Sequence, residues 1–383
     1  MKDSSNQHFF KIGLAAVLFV ALSASLPARA DEGGVPLHGF ADAGWAMSTP
    51  GQPAREYTHS FVTGTLDLYI TPQFSDNVKS LMEIALEPGL DSEAYGLDVE
   101  RIQVGYTFSD ALNAWVGRFH TPYGYWNTSY HHGAEIQTSI YKPRFLDWED
   151  HAGFMPSHSV GLWLNGKIPA GDGKVAWDAF LTNGSRNLGG SLDMNIIRDD
   201  NTNVGFGGRA AYQFGGSLQG LAVGVHALDE EVDTYAGGPP PATTGAIPTA
   251  AALMRFFGGF AVYENNNIEA NAEFYSFSNE DLQSPGNNAH LSSAGFVHVG
   301  YFVLPDLIPY ARYEKTVIDQ TDPYFNTQIN GFSYTRYLVG VRYNINARSA
   351  VKIEGNRTTI EDTALNVTAG SYSELRTQYA IAF

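Results

Sequence analysis

The stretch YSELRTQYAIAF, residues 372–383, alternates strictly. Leu375, Thr377, Tyr379, Ile381 and Phe383 fall on one side. Glu374, Arg376, Gln378, Ala380 and Ala382 fall on the other. A period of two is the mark of a strand whose faces meet different surroundings. Chain ends usually fray and carry polar residues, yet here the pattern runs out to an aromatic. One face is apolar with aromatics at its end; the other is small, polar or charged. We expect the first face to meet lipid and the second to meet water.

The same alternation recurs upstream. In RIQVGYTF (101–108), Ile102, Val104, Tyr106 and Phe108 oppose Arg101, Gln103, Gly105 and Thr107. In LVGVRYNI (338–345), Val339, Val341, Tyr343 and Ile345 oppose Gly340, Arg342 and Asn344. KVAWDAFL and NVGFGGRAAYQF repeat it, with Asp178 and Arg209 on the polar side. Candidate strands lie near 35–48, 57–71, 77–87, 96–108, 112–120, 158–168, 173–183, 203–214, 218–229, 253–264, 267–278, 289–303, 306–319, 331–345, 348–358 and 372–383, sixteen in all. Gaps after the even strands are short. Gaps after the odd strands are long: 49–56, 88–95, 121–157, 184–202, 230–252, 279–288, 320–330 and 359–371. Tight turns at one end and long loops at the other characterise an outer-membrane barrel. Charges on one face of a membrane strand need water, so the interior is expected to be wet. Only a closed barrel satisfies every strand N–H and C=O in lipid. The last strand is therefore expected to pair with the first, VPLHGFADAGWAM. Phe108, Phe214 and Phe383 are expected at an interfacial aromatic belt.

The other end reads as an export signal. Lys2 and Lys11 precede an apolar run from Ile12 to Leu22, followed by Pro27 and the small-x-small Ala28-Arg29-Ala30. We expect residues 1–30 to be a cleaved signal peptide and 31–383 to be one barrel domain. Without Lys2, Lys11, Arg29 and Asp3 the chain carries 20 bases against 39 acids, a net of −19. That balance argues against nucleic acid as a partner. Cysteine is absent, which excludes disulfides and thiolate chemistry. Aromatics make up 13% and charged residues 16%. Past residue 30 no apolar run is long enough for a transmembrane helix.

The alternating strands, the export signal and the terminal QYAIAF resemble bacterial outer-membrane porins. Segment VGRFHTPYGYWN (116–127) is similar to a GR-x-x-x-P-x-G pattern of porins related to the phosphate-selective type, although lysines are few in the strands. The resemblance implies an outer-membrane location, a passive channel for ions and small hydrophilic solutes, and a homotrimer. It also implies that Tyr379 and Phe383 belong to a terminal signal for the barrel-assembly machinery. No cofactor is implied. The alternative is a non-transport barrel, a scaffold or sheath around a partner protein.

Residues 121–157 form the longest gap and hold many aromatics. Such content wants burial, and by resemblance to porins this third loop is expected to fold into the lumen. Its charges are Glu135, Lys142, Arg144, Asp147, Glu149 and Asp150. Facing them on the wall we expect some of Arg101, Arg209, Arg312, Arg336, Arg342, Lys352 and Arg376, which would set a transverse field across the constriction. Lys142 and Arg144 could equally pair with Asp147, Glu149 and Asp150 and pin the loop. Both can hold at once. His120, His131, His132, His151 and His158 sit in or beside the loop, without the i, i+4 spacing of helical metal motifs. We expect them to be hydrogen-bonding groups rather than a metal site. Pairs such as His120 with Ser129 or His158 with Ser157 suggest catalysis only weakly, because no G-x-S-x-G elbow is present, and no enzyme is expected.

If the terminal strand is an assembly signal, deleting Phe383 lowers the amount of folded protein in the outer membrane. Heat-modifiable gel mobility of membrane fractions measures it; undiminished levels would remove that role.

Overall fold

The computed structural model describes residues 36–49, 59–88, 95–131, 133–147, 153–194, 196, 201, 203–235, 247–284, 286, 289–362 and 367–383. The expected signal peptide, His132, Glu149, Asp150 and His151 lie outside the described residues.

Strand-forming alternation becomes strand wherever it was read. The wall consists of β1 (Leu37–Ser48), β2 (Ser60–Ile70), β3 (Val78–Pro88), β4 (Tyr95–Ser109), β5 (Leu112–His120), β6 (His158–Ala170) and β7 (Gly173–Thr182). Two short strands, β8 (Ser185–Leu188) and β9 (Ser191–Asp193), follow. The wall resumes with β10 (Gly205–Gln213), β11 (Leu221–Tyr235), β12 (Ala250–Glu264), β13 (Ile268–Asp281), β14 (His290–Tyr301), β15 (Leu307–Val317), β16 (Tyr334–Asn346), β17 (Ser349–Ile360) and β18 (Gly370–Ala382). Each wall strand pairs antiparallel with its neighbour, β7 pairs with β10, and β18 pairs with β1. The result is a closed sixteen-strand antiparallel barrel.

Closure runs through the last residues. Phe40 stands opposite Ala382 and Ser48 opposite Glu374. Beyond the ladder, Gly39 and Phe383 exchange two backbone hydrogen bonds, each 3.0 Å. A Cβ on Gly39 would stand 2.4 Å from the Phe383 ring and 2.7 Å from the Asp67 carbonyl oxygen, so a side chain there would force a shift.

The two faces separate as the alternation foretold. Ile102, Val104, Tyr106 and Phe108 of β4 are exposed, as are Val339, Val341 and Tyr343 of β16. Glu83, Gln103, Asp178, Arg312, Arg336, Lys352 and Glu354 are buried on the opposite face. Exposed apolar side chains around the whole wall suit lipid, not water. Aromatic pairs stand where the short turns lie: Tyr106 with Phe108 and Tyr212 with Phe214, each with centroids 4.7 Å apart. No described helix is long and apolar enough to cross a membrane.

One expectation needs correcting. The sequence pattern puts a plain loop at 184–202, but β8 and β9 form a small hairpin there, and β8 pairs parallel with the far end of β11. The Asn187 side chain donates to Thr327 O and Oγ1 at 2.7 and 2.8 Å, joining this hairpin to the segment between β15 and β16. Strands this short carry too little periodicity to be seen.

A charged residue placed mid-strand on the exposed face tests the lipid assignment. Val339→Arg should cost about 2–4 kcal/mol if that position faces hydrocarbon. Denaturant titration of folding into lipid vesicles reads it; a cost near zero would contradict the assignment.

Candidate functional site

Loop 121–157 starts with Thr-Pro-Tyr-Gly. Pro122 has no N–H to continue the ladder. Gly124 has φ +57°, the left-handed region glycine tolerates best. The chain turns there into one helical turn, Trp126–Ser129. Irregular backbone that is buried must still satisfy its N–H and C=O groups. Here the wall side chains do it, in place of a ladder.

Acids take the N–H groups. Glu273 Oε1 accepts from Tyr125 N at 3.1 Å and Trp126 N at 2.6 Å. Glu354 accepts from Ile140 N at 2.7 Å and Tyr141 N at 3.2 Å. Glu314 accepts from Arg144 N at 2.7 Å. Bases take the carbonyls. Arg209 donates to Gly124 O at 2.9 Å. Arg342 donates to Glu135 O at 2.5 Å and Gln137 O at 2.9 Å, and its guanidinium also pairs with the Glu135 carboxylate at 2.8 Å. Lys352 donates to Ala134 O, to Gln137 O at 2.7 Å and to Ser139 O at 3.2 Å. Arg312 donates to Ser139 Oγ at 2.9 Å and Lys142 O at 2.8 Å.

Aromatic contacts complete the seat. Tyr141 lies under the guanidinium groups of Arg336 and Arg376, at 4.7 and 5.2 Å, and its hydroxyl donates to Glu374 at 3.0 Å. Burial and the Glu374 carboxylate hold that phenol well above its usual range. Tyr123, Phe145 and Phe154 join an apolar core with Phe256, Tyr275 and Phe277 of the wall and Phe325 of the β15–β16 segment.

The expected site residues among those described fall into four groups. Glu135, Arg144, Arg312, Arg336, Arg342 and Lys352 hold the loop. Arg144 also donates to Asn330 Oδ1 at 3.3 Å and lies over the Phe332 ring. Arg101 and Arg209 line a cavity of 280 Å³ with Gln103, His120 and Tyr125. Lys142, Asp147 and Arg376 line a second cavity of 110 Å³. Tyr379 and Phe383 sit in the closing strand or directly after it.

Sequence reasoning missed the acids of that second cavity. Asp42 of β1, Asp67 of β2 and Glu87 of β3 line it together with Lys142 and Arg376. Asp42 accepts from Gln378 Nε2 at 2.8 Å. All three stand on the polar side of the period-two pattern, so face assignment carried to the first three strands would have found them.

The histidines come together more closely than expected. Ring nitrogens of His120, His131 and His158 lie within 4.8 Å of one another. Ser157 does not point its hydroxyl at His158; its Oγ contacts Met194 Sδ at 3.6 Å.

A closed barrel of sixteen strands with a polar inner face is the porin-type outer-membrane fold. Solved structures bear this out at the level of fold. The loop L8 deletion mutant of OmpT, an outer membrane protein of Vibrio cholerae, matches with 13% identity and a TM-score of 0.60, over 92% of this chain and 100% of that one. The anion-selective porin from Comamonas acidovorans matches with 14% identity and a TM-score of 0.58, over 91% and 99%. The outer membrane channel DcaP of Acinetobacter baumannii matches with 11% identity and a TM-score of 0.59, over 94% and 100%. No protein-family model and no curated protein sequence matches the chain.

Removing one holding side chain should free the loop and leave the wall. Hydrogen bonds to charged groups are worth about 1.5–3 kcal/mol each. In Arg342→Ala, amide exchange across 134–142 should therefore speed up at least tenfold while β16 and β17 stay protected. Unchanged exchange there would show that the loop is held without Arg342.

Proposed function

We propose that the protein is an outer-membrane channel that passes small hydrophilic solutes and ions, with loop 121–157 folded into the lumen and narrowing it. The observation that carries this is the seating of the loop. Its backbone engages side chains of β10, β13, β15, β16 and β17, and Tyr141 reaches β18. The wall from β1 to β3 is left to face it across the 110 Å³ cavity. The narrowest passage would then run between Asp42, Asp67, Glu87 and Asp147 on one hand and Lys142 and Arg376 on the other. Opposed charges across a narrow opening orient solutes and set ion preference. Four acids against two bases favour cations.

The likeness to the anion-selective porin and to the outer membrane channel DcaP supports channel function as a class and no particular solute. A homotrimer, an export signal in residues 1–30 and insertion by the barrel-assembly machinery complete the proposal. Catalysis has no part in it. A sheath around a partner protein would need a clear lumen, and the aromatic core around Phe145 and Phe154 counts against that.

Planar-bilayer recording of refolded protein tests the proposal. Wild type should give stepwise conductance with a cation-directed reversal potential in a salt gradient. Asp42→Asn with Glu87→Gln should move that potential toward anions and keep the steps. A folded barrel without steps would turn the assignment to a sealed scaffold. Steps with an unmoved potential would put the constriction elsewhere.

A further inference from the structure

We propose that His120, His131 and His158 form a binding site for one divalent first-row transition ion, which clasps the two ends and the interior of loop 121–157.

The placement is built by three separate parts of the chain. His120 is the last residue of β5 and His158 the first of β6, and they stand directly opposite each other in the ladder. The loop then brings His131 back onto this pair. Ring centroids lie 4.1 Å apart for His120 and His131, 4.5 Å for His131 and His158, and 5.1 Å for His120 and His158. The return is fixed by Asn127. Its amide nitrogen donates to Thr121 O at 2.9 Å and Ser157 O at 3.1 Å, tying the loop's two ends. Its Oδ1 meets His131 Nδ1 at 2.8 Å. A ring nitrogen engaged in this way sets the orientation of the imidazole.

The other two rings also have oxygen partners. Glu100 Oε2 lies 2.8 Å from His158 Nε2, and Glu83 Oε2 lies 3.7 Å from His120 Nε2. Carboxylates placed behind imidazoles are the usual support of histidine metal ligands. Each acid has an arginine beside it, Arg118 at 3.9 Å from Glu100 and Arg101 on Glu83. Each carboxylate is thus compensated by an arginine. Imidazole nitrogen suits zinc, copper and nickel and not calcium or magnesium.

The sizes agree. Three nitrogens about 2.0–2.1 Å from zinc stand roughly 3.4 Å apart in a tetrahedral set. Donor atoms within 4.8 Å reach that by small side-chain rotations. His120 is the least buried of the three; it borders the 280 Å³ cavity, and His131 borders the 110 Å³ one. An ion therefore has a way in and room for a water as fourth ligand.

The test uses folded mature protein in detergent, stripped with chelator, incubated with Zn2+ and passed over gel filtration. About one zinc should stay with each chain, and X-ray absorption should show three imidazole ligands. His131→Gln, with its fold checked by heat-modifiable mobility, should lower zinc affinity at least tenfold. A wild-type chain that retains no zinc overturns the proposal. So does zinc bound in an oxygen-dominated shell, or at full affinity in His131→Gln. The X-ray absorption result needs no variant, so it decides the matter even if His131→Gln fails to fold. None of these outcomes depends on whether the barrel conducts.

Discussion

Backbone hydrogen bonding in a solvent that offers none is the constraint on which the rest depends. A strand in hydrocarbon must have a neighbour on both sides, so the sheet has to close. It closes between Phe40 and Ala382 and ends with the Gly39–Phe383 pair. Once closed, the wall has an outer face that must be apolar and an inner face free to carry charge. The outward Val339 and Val341 and the buried Arg342 are consequences of that one condition.

The inner charges then acquire a second task. Buried charges are costly unless paired and hydrogen-bonded. Lys352, Glu354, Arg312 and Glu314 meet that cost with the N–H and C=O groups of loop 121–157. The exchange is mutual: the loop has no ladder of its own, and the wall charges have little water. This explains why a segment so rich in aromatics can be both irregular and buried. It also divides the inner charges by role, those that hold the loop and those left to line open space.

Much of the fold could be read directly. All sixteen wall strands were legible because each is long enough to show its period, and the alternation of tight turns with long loops set their direction. The hairpin of β8 and β9 was not legible, since strands of four and three residues leave no pattern. The site was read less completely. Lys142, Asp147 and Arg376 were picked out and do line the smaller cavity, and Arg342 pairs with the loop acid Glu135, but Arg342 and Lys352 also grip the loop's main chain. Main-chain partners have no residue type, so no sequence pattern announces them.

Residue order alone was enough for the barrel and its faces, because period-two alternation is a local property and lipid acts on each strand alike. Which charges meet was decided only in the folded wall. Asp42 and Arg376 are far apart in the chain and become neighbours through closure. His120, His131 and His158 come together because a ladder pair and a returning loop converge on one point. Contacts of that kind depend on register and on the path of the loop, and both follow from the closed sheet as a whole.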